Sequence, residues 1–190
     1  MKKKEKKSKK KLFLVAGRTA AGKSTIVRSV CEKHGLKQVV SYATRPIRYG
    51  ETEGLDHLFI KPEDVDKYID DMAAYTKIGD FEYFATYNII DQATFYVIDP
   101  IGIQDMIQTC GDRYDLIVIY INSNYETREH RAILTRNDNY LVFEKRVQAE
   151  DAQFSDFEER RGWDYVICNN GNFNYAVKQM EAILTKEGVL

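Results

Sequence analysis

The sequence predicts an α/β fold: an open parallel sheet flanked by helices, with a smaller β-rich subdomain inserted near residues 40–90. Three observations predict it. The runs "TFYVID" (94–99) and "DLIVIYIN" (115–122) are almost continuously apolar, the pattern of parallel strands covered on both faces. Such runs alternate with stretches of helical spacing. Before them comes "AYTKIGDFEYFATYNI" (74–89), rich in Tyr, Phe and Thr with Gly-Asp inside, which reads as a hairpin or small sheet.

In chain order, "KLFLVAG" (11–17) reads as a buried strand and 24–34 as its helix. "QVVSYA" (38–43) is a second strand and "DHLFI" (56–60) an extended piece. "KPEDVDKYIDD" (61–71) is a helix with Pro62 at its start and an acidic first turn. Beyond the hairpin and the two apolar strands, residues 124–136, 140–161 and 172–186 have helical character, and "WDYVICN" (163–169) is the last strand. The order is βα, the insert, then βα, βαα, βα.

A chain of 190 residues is one domain with a real core. No apolar run reaches the roughly 18 residues of a membrane span. The net charge of −1 hides an asymmetry: the first eleven residues, "MKKKEKKSKKK", hold eight Lys and one Glu. The rest carries 20 basic and 28 acidic residues, a net of −8. An acidic body argues against a broad nucleic-acid face. Residues 1–11 lack the apolar centre of a secretory signal and read as a solvated, disordered tail; electrostatic contact with RNA or anionic lipid is the alternative. Cys31, Cys110 and Cys168 are odd in number and lack metal-ligand spacing, so they read as reduced, mostly buried residues of a cytoplasmic protein. His34, His57 and His130 form no metal motif.

The chemistry begins at "GRTAAGKST", Gly17 to Thr25, which fits Gly-x-x-x-x-Gly-Lys-Ser between a strand and a helix. Its glycines let backbone N–H groups turn inward around phosphate oxygens, and the following helix adds its positive N-terminal end. Lys23 is expected to reach the β- and γ-phosphates and the Ser24 hydroxyl to ligate Mg²⁺. A second cluster, "SYATRPIRYGETEGLDHLFI" (41–60), places Arg45 and Arg48 three residues apart. Two guanidiniums at this spacing suit one phosphate dianion, although a pair of surface arginines explains them equally.

Together, "GRTAAGKST" and "S-x-x-T-R-P-x-R-x-G-E-x-x-G-x-D-H-x-F" resemble the guanylate kinase family. The resemblance continues in order through "YFAT" (83–86), "VIDPIG" (97–102), "TRNDNYLVFEKRVQAE" (135–150) and "WDYVICNN" (163–170). It implies a P-loop NTPase fold with a core (12–38 and 94–190), a nucleoside-monophosphate-binding insert (39–93) and a helical lid (131–147). It implies transfer of the ATP γ-phosphoryl to a nucleoside monophosphate with Mg²⁺, with no nucleic acid or membrane partner, by a monomer or homodimer. By position, Gly17, Arg18, Thr19, Ala20, Ala21, Gly22, Lys23, Ser24 and Thr25 would hold ATP, with Asn169 near its adenine. Ser41 and Thr86 would meet the acceptor base. Arg45, Arg48, His57 and Tyr83 would meet its phosphate, and Asp99 would lie close by. Lys23, Arg136 and Arg146 would be catalytic.

Four positions depart from the family pattern. Ala20 replaces a loop glycine, and Val97 replaces the first carboxylate of Asp-Ile-Asp. Phe84 replaces a phosphate-binding Tyr, with the Tyr83 hydroxyl able to compensate if the register differs by one. No Glu stands near Tyr75, where the family reads guanine. The expected acceptor is GMP or dGMP; a different or broader base specificity, or an inactive protein-binding module, are the alternatives. The intact Lys23 and Ser24 argue against the last.

Overall fold

The computed structural model describes residues 9–48 and 50–190. β1 (Lys10–Ala16) leads through the glycine loop into α1 (Lys23–His34). There follow β2 (Tyr42–Ala43), β3 (Leu58–Phe59), a 3₁₀ helix (Pro62–Asp71), β4 (Met72–Ile78), β5 (Phe81–Thr86) and the short α2 (Tyr87–Ile90). Then come β6 (Phe95–Val97), α3 (Pro100–Cys110), β7 (Tyr114–Asn122), α4 (Tyr125–His130), a π-helical turn (Arg131–Thr135), α5 (Tyr140–Glu159), β8 (Tyr165–Cys168) and α6 (Phe173–Lys186).

The core sheet is parallel, in the order β6-β1-β7-β8. Alternation along β1 explains its unbroken apolar sequence. Phe13 and Val15 join a cluster roofed by Ile26, Val27 and Val30 of α1 and by Met180 and Leu184 of α6. Leu12, Leu14 and Ala16 face the opposite cluster, with Ile103 and Met106 of α3 and Phe154 and Phe157 of α5. Side-chain caps fix where helices begin: Asp99, Asn124, Asn139 and Asn172 each accept a backbone N–H at the start of α3, α4, α5 and α6.

The insert is a second sheet, β3-β2-β5-β4. Its hairpin turns at Gly79 (φ 60°) and Asp80, with Ile78 opposite Phe81. Residues directly opposite one another share a face. Tyr42, Phe84 and Tyr75 therefore lie on one face, and Ala43, Tyr83 and Thr76 on the other. The 3₁₀ helix covers the first face, where Tyr68 packs 4.4 Å from Tyr42 and 5.5 Å from Phe84, ring centre to ring centre. Phe84 is only 1% exposed. The second face turns toward the core: Ala74 and Ala85 pack into the cluster under β1 and β6.

Several sequence expectations are corrected. The first strand begins at Lys10, so Lys10 and Lys11 belong to the sheet rather than the tail. Their stems run along the fold and their ammonium groups donate outward: Lys10 to the carbonyls of Ile90 and Asp91 at 2.9 and 2.6 Å, Lys11 to the Glu187 carboxylate at 2.7 Å. Residues 1–8 of the expected tail lie outside the described residues. The strand expected over 38–43 divides between two sheets: Gln38 bridges to Phe95 in the core, and Tyr42–Ala43 pair in the insert. The helix expected over 61–71 is 3₁₀, and the one over 124–136 widens into a π turn before Arg136. Of the three free cysteines only Cys110 is buried; Cys31 is partly covered and Cys168 exposed. No helix among the described residues is long and apolar enough to cross a membrane.

Candidate active site

The glycine loop leaves the C-terminal end of β1, where β7 and β8 also end, and its close packing explains its glycines. A Cβ on Gly17 would lie 2.6 Å from the Ile121 carbonyl oxygen, and one on Gly22 would lie 2.5 Å from the Asn169 amide nitrogen. Gly22 also has φ 95°. Ala20 adopts φ 59°, the left-handed region, at the position where the family pattern has glycine. An L-residue there is strained by about 1–2 kcal/mol. Ala20→Gly is therefore expected to raise stability by roughly 0.5–1 kcal/mol, after the entropy glycine loses on folding. A thermal melt checks this; a lower midpoint would show that Ala20 is not strained.

Lys23, at the first turn of α1, donates to the carbonyls of Gly17 at 2.5 Å and Arg18 at 3.2 Å. Burial pushes its pKa down to about 8, against the opposing pull of the Glu150 carboxylate. Arg136 and Arg128 lie close enough for their charges to add to the depression, and Asp99 opposes it. The Ser24 hydroxyl has no hydrogen-bond partner among the described residues, and Thr25 is exposed on α1.

Two of the loop residues face α5 instead. Arg18 makes a bidentate pair with Glu158, both bonds 2.9 Å, and reaches Asp151 at 2.9 Å. The Thr19 N–H donates to Glu150 at 2.7 Å. Arg18 thus latches α5 to the loop, and its role is to position the loop. Asn169 has a similar role. It is 2% exposed, its amide donates to the Ala21 carbonyl at 2.8 Å, and its own backbone carbonyl accepts from Arg131 at 2.8 Å. This places it as a strut beneath the loop.

From the other side the insert presents Ser41, Arg45, His57 and Tyr83 on one face. The Arg45 guanidinium sits 5.3 Å from the Phe59 ring centre and 6.0 Å from that of Tyr83, and the His57 ring is 5.9 Å from Tyr83. His57 Nδ1 lies 3.0 Å from Ser41 Oγ. Burial and the Arg45 charge lower the His57 pKa, so the imidazole is neutral at pH 7. Glu51 holds Arg45 with two bonds of 2.6 and 2.7 Å and also accepts the Arg48 N–H at 2.9 Å. Arg45 Nε is buried without a partner among the described residues, a free donor in this cluster. Arg48 is exposed, yet partial desolvation of its guanidinium and the charges of Arg45 and Arg146 lower its pKa.

The lid closes the ring of cations. Arg136 and Arg146 donate to the same Asp138 oxygen, at 2.8 and 3.4 Å. Arg136 acts on Lys23 and Arg146 on Arg48. Positive groups from the loop, the insert and the lid therefore lie within electrostatic reach of one another, around the candidate cleft. Tyr83, not Phe84, is the aromatic beside Arg45 and His57; Phe84 is buried on the opposite face. Thr86 is not brought to the cleft: it is 3% exposed and lies on the Phe84 side of β5. Asp99 caps α3 with Oδ1, accepting the Gly102 N–H at 2.8 Å, and its negative charge acts on Lys23. A shallow cavity of about 560 Å³ lined by Lys9, Tyr114 and Trp163 sits at the opposite, N-terminal end of the strands and holds none of these groups.

Sequence reasoning missed the carboxylates that hold the cations, namely Glu51, Asp138, Glu150 and Glu158, the buried Arg128 and the half-buried Arg131. Glu51 and Asp138 stand six and two residues from the arginines they bind, so spacing gave a signal. Glu150 and Glu158 meet the loop across more than 130 residues.

Comparison with known proteins identifies the family and the fold. The family described as Guanylate kinase matches residues 9–187. The guanylate kinase of Zymomonas mobilis subsp. mobilis is 29% identical over 188 residues, covering 94% of this chain and 84% of its own. That of Geobacter metallireducens is 26% identical over 185 residues, covering 93% and 88%. The crystal structure of guanylate kinase from Anaplasma phagocytophilum superposes with a TM-score of 0.66 at 20% identity, over 95% of this chain and 87% of that one. The fold is the P-loop NTPase fold, and the chain belongs to the guanylate kinase family.

Proposed function

We propose that the protein transfers the γ-phosphoryl group of ATP to a nucleoside monophosphate, with GMP as acceptor. The observation that carries this reading is the convergence of Lys23, Arg136, Arg146 and Arg48 from three separate parts of the chain. Phosphoryl transfer asks little covalent chemistry of the protein. It needs the two phosphates held in line and positive charge around the moving oxygens. A loop for one phosphate facing arginines for a second is the arrangement of a kinase. A hydrolase needs no second cluster.

In this reading Lys23 turns from the loop carbonyls to the ATP phosphates. Arg45 Nε, Arg48 and the Tyr83 hydroxyl hold the acceptor phosphate. Arg136 and Arg146 exchange Asp138 for the transferring group, and the closed lid excludes water. No group of three or more His, Cys, Asp or Glu among the described residues forms a metal cage. Mg²⁺ carried on nucleotide phosphates needs only one or two protein oxygens, so the Ser24 hydroxyl and the second oxygen of Asp99 fit it. Bound there, it would neutralise charge on the phosphate oxygens.

Arg45→Ala separates the two halves of the site. It is expected to raise the acceptor KM and lower kcat, each by about tenfold or more, while the ATP affinity measured by calorimetry stays within twofold. Equal weakening of ATP binding would contradict the assignment of Arg45 to the acceptor.

A further inference from the structure

We infer that this protein does not read the 2-amino group of its acceptor base, so that IMP serves as acceptor about as well as GMP. The inference rests on the kinase reading above. It follows from which side chains the insert turns toward the cleft. Guanine presents two adjacent donors, N1–H and the 2-amino group. A carboxylate is the side chain that meets both, with two acceptor oxygens. Hypoxanthine keeps N1–H and the 6-oxo group and lacks the amino group.

On the cleft face the insert offers Ser41, Arg45, His57, Thr76 and Tyr83, none of them a carboxylate. The nearby carboxylates are turned away or already bound. Tyr75 and Glu82 lie on the outer face, where the Tyr75 hydroxyl donates to Glu82 at 2.7 Å. Glu51 is held by Arg45. Asp56 pairs with Arg28 and accepts the Thr52 N–H, Glu53 accepts the Phe59 N–H, Asp105 accepts the Tyr75 backbone N–H, and Asp99 spends one oxygen capping α3 and offers the other to Mg²⁺ in the reading above. Hydroxyls and a neutral imidazole can satisfy the N1–H and 6-oxo edge that the two bases share. None offers the paired acceptors that would reward the extra amino group. On β4 the cleft face holds Ala74, buried in the core, and Thr76, directly opposite Tyr83, while a carboxylate at Tyr75 would point to the face shared with Phe84.

The test is steady-state kinetics with ATP, Mg²⁺ and either GMP or IMP. The expected kcat/KM values for the two acceptors differ by less than about fivefold; a site that read the amino group would favour GMP by about 10- to 100-fold or more. A preference of that size overturns the inference and leaves the kinase reading standing. Turnover of neither monophosphate removes both. Thr76→Glu supplies the missing carboxylate on the cleft face and is expected to raise the GMP-to-IMP ratio about tenfold. Tyr75→Glu is expected to leave that ratio unchanged. The reverse result would overturn the assignment of faces, and the wild-type ratio decides the question even if either variant fails to fold.

Discussion

Lys23→Ala is expected to lower kcat by about 10³-fold, the scale on which one preorganised donor at a developing charge acts. Thermal stability should hardly change or should rise slightly, because burying Lys23 is unfavourable and its removal leaves no unpaired partner beyond two loop carbonyls. Retained turnover would mean that the loop does not hold the donor phosphate. The same residue gives a pH signature. With the Lys23 pKa near 8 in the free protein, the ammonium is present below pH 8, and ATP phosphates hold it protonated. Above pH 8, binding ATP must take up a proton. Affinity is therefore expected to be flat below pH 8 and to fall by up to about tenfold per unit above it. Lys23→Arg, whose guanidinium stays charged, should flatten the profile. Titration calorimetry at several pH values reads both, and a wild-type affinity constant to pH 9.5 would contradict the burial of Lys23. For folding the sign is opposite. Between pH 8 and the ordinary lysine value the unfolded chain keeps the proton that the folded chain has released, so this group makes stability rise with pH there.

The second large effect belongs to the lid. Arg146→Ala is expected to reduce kcat by about 10²-fold or more with little change in ATP affinity, because Arg146 meets the phosphoryl group only when the lid closes. Arg136→Ala should behave alike. Without nucleotide both arginines share Asp138, so each single replacement leaves that carboxylate with one partner and the fold undisturbed. A change confined to KM would place these arginines in ground-state binding instead.

Much of this was legible in the sequence. The parallel core was readable because burial on both faces leaves an unbroken apolar run, as in β1 and β7. The loop was readable because only glycine fits against Ile121 and Asn169. The hairpin announced itself through Gly79 and Asp80. Less legible were features set by register and by distant partners. Alternation in β5 depends on how it pairs, so Tyr83 and Phe84 exchange roles on a shift of one residue. Asn169 and Arg18 match nucleotide-binding positions, yet their side chains are consumed by Ala21 and by Glu158, partners remote in sequence. Ala20 keeps the loop's left-handed turn without glycine, a strain that composition cannot show.

The central claim is transfer between two phosphates rather than hydrolysis of one. Its most direct measurement is ADP formation from ATP and Mg²⁺ with a panel of monophosphates, GMP, dGMP, IMP, AMP, CMP and dTMP. Strong stimulation by GMP, with GDP formed in equal amount to ADP, is the predicted result. ADP release that no monophosphate stimulates would contradict it.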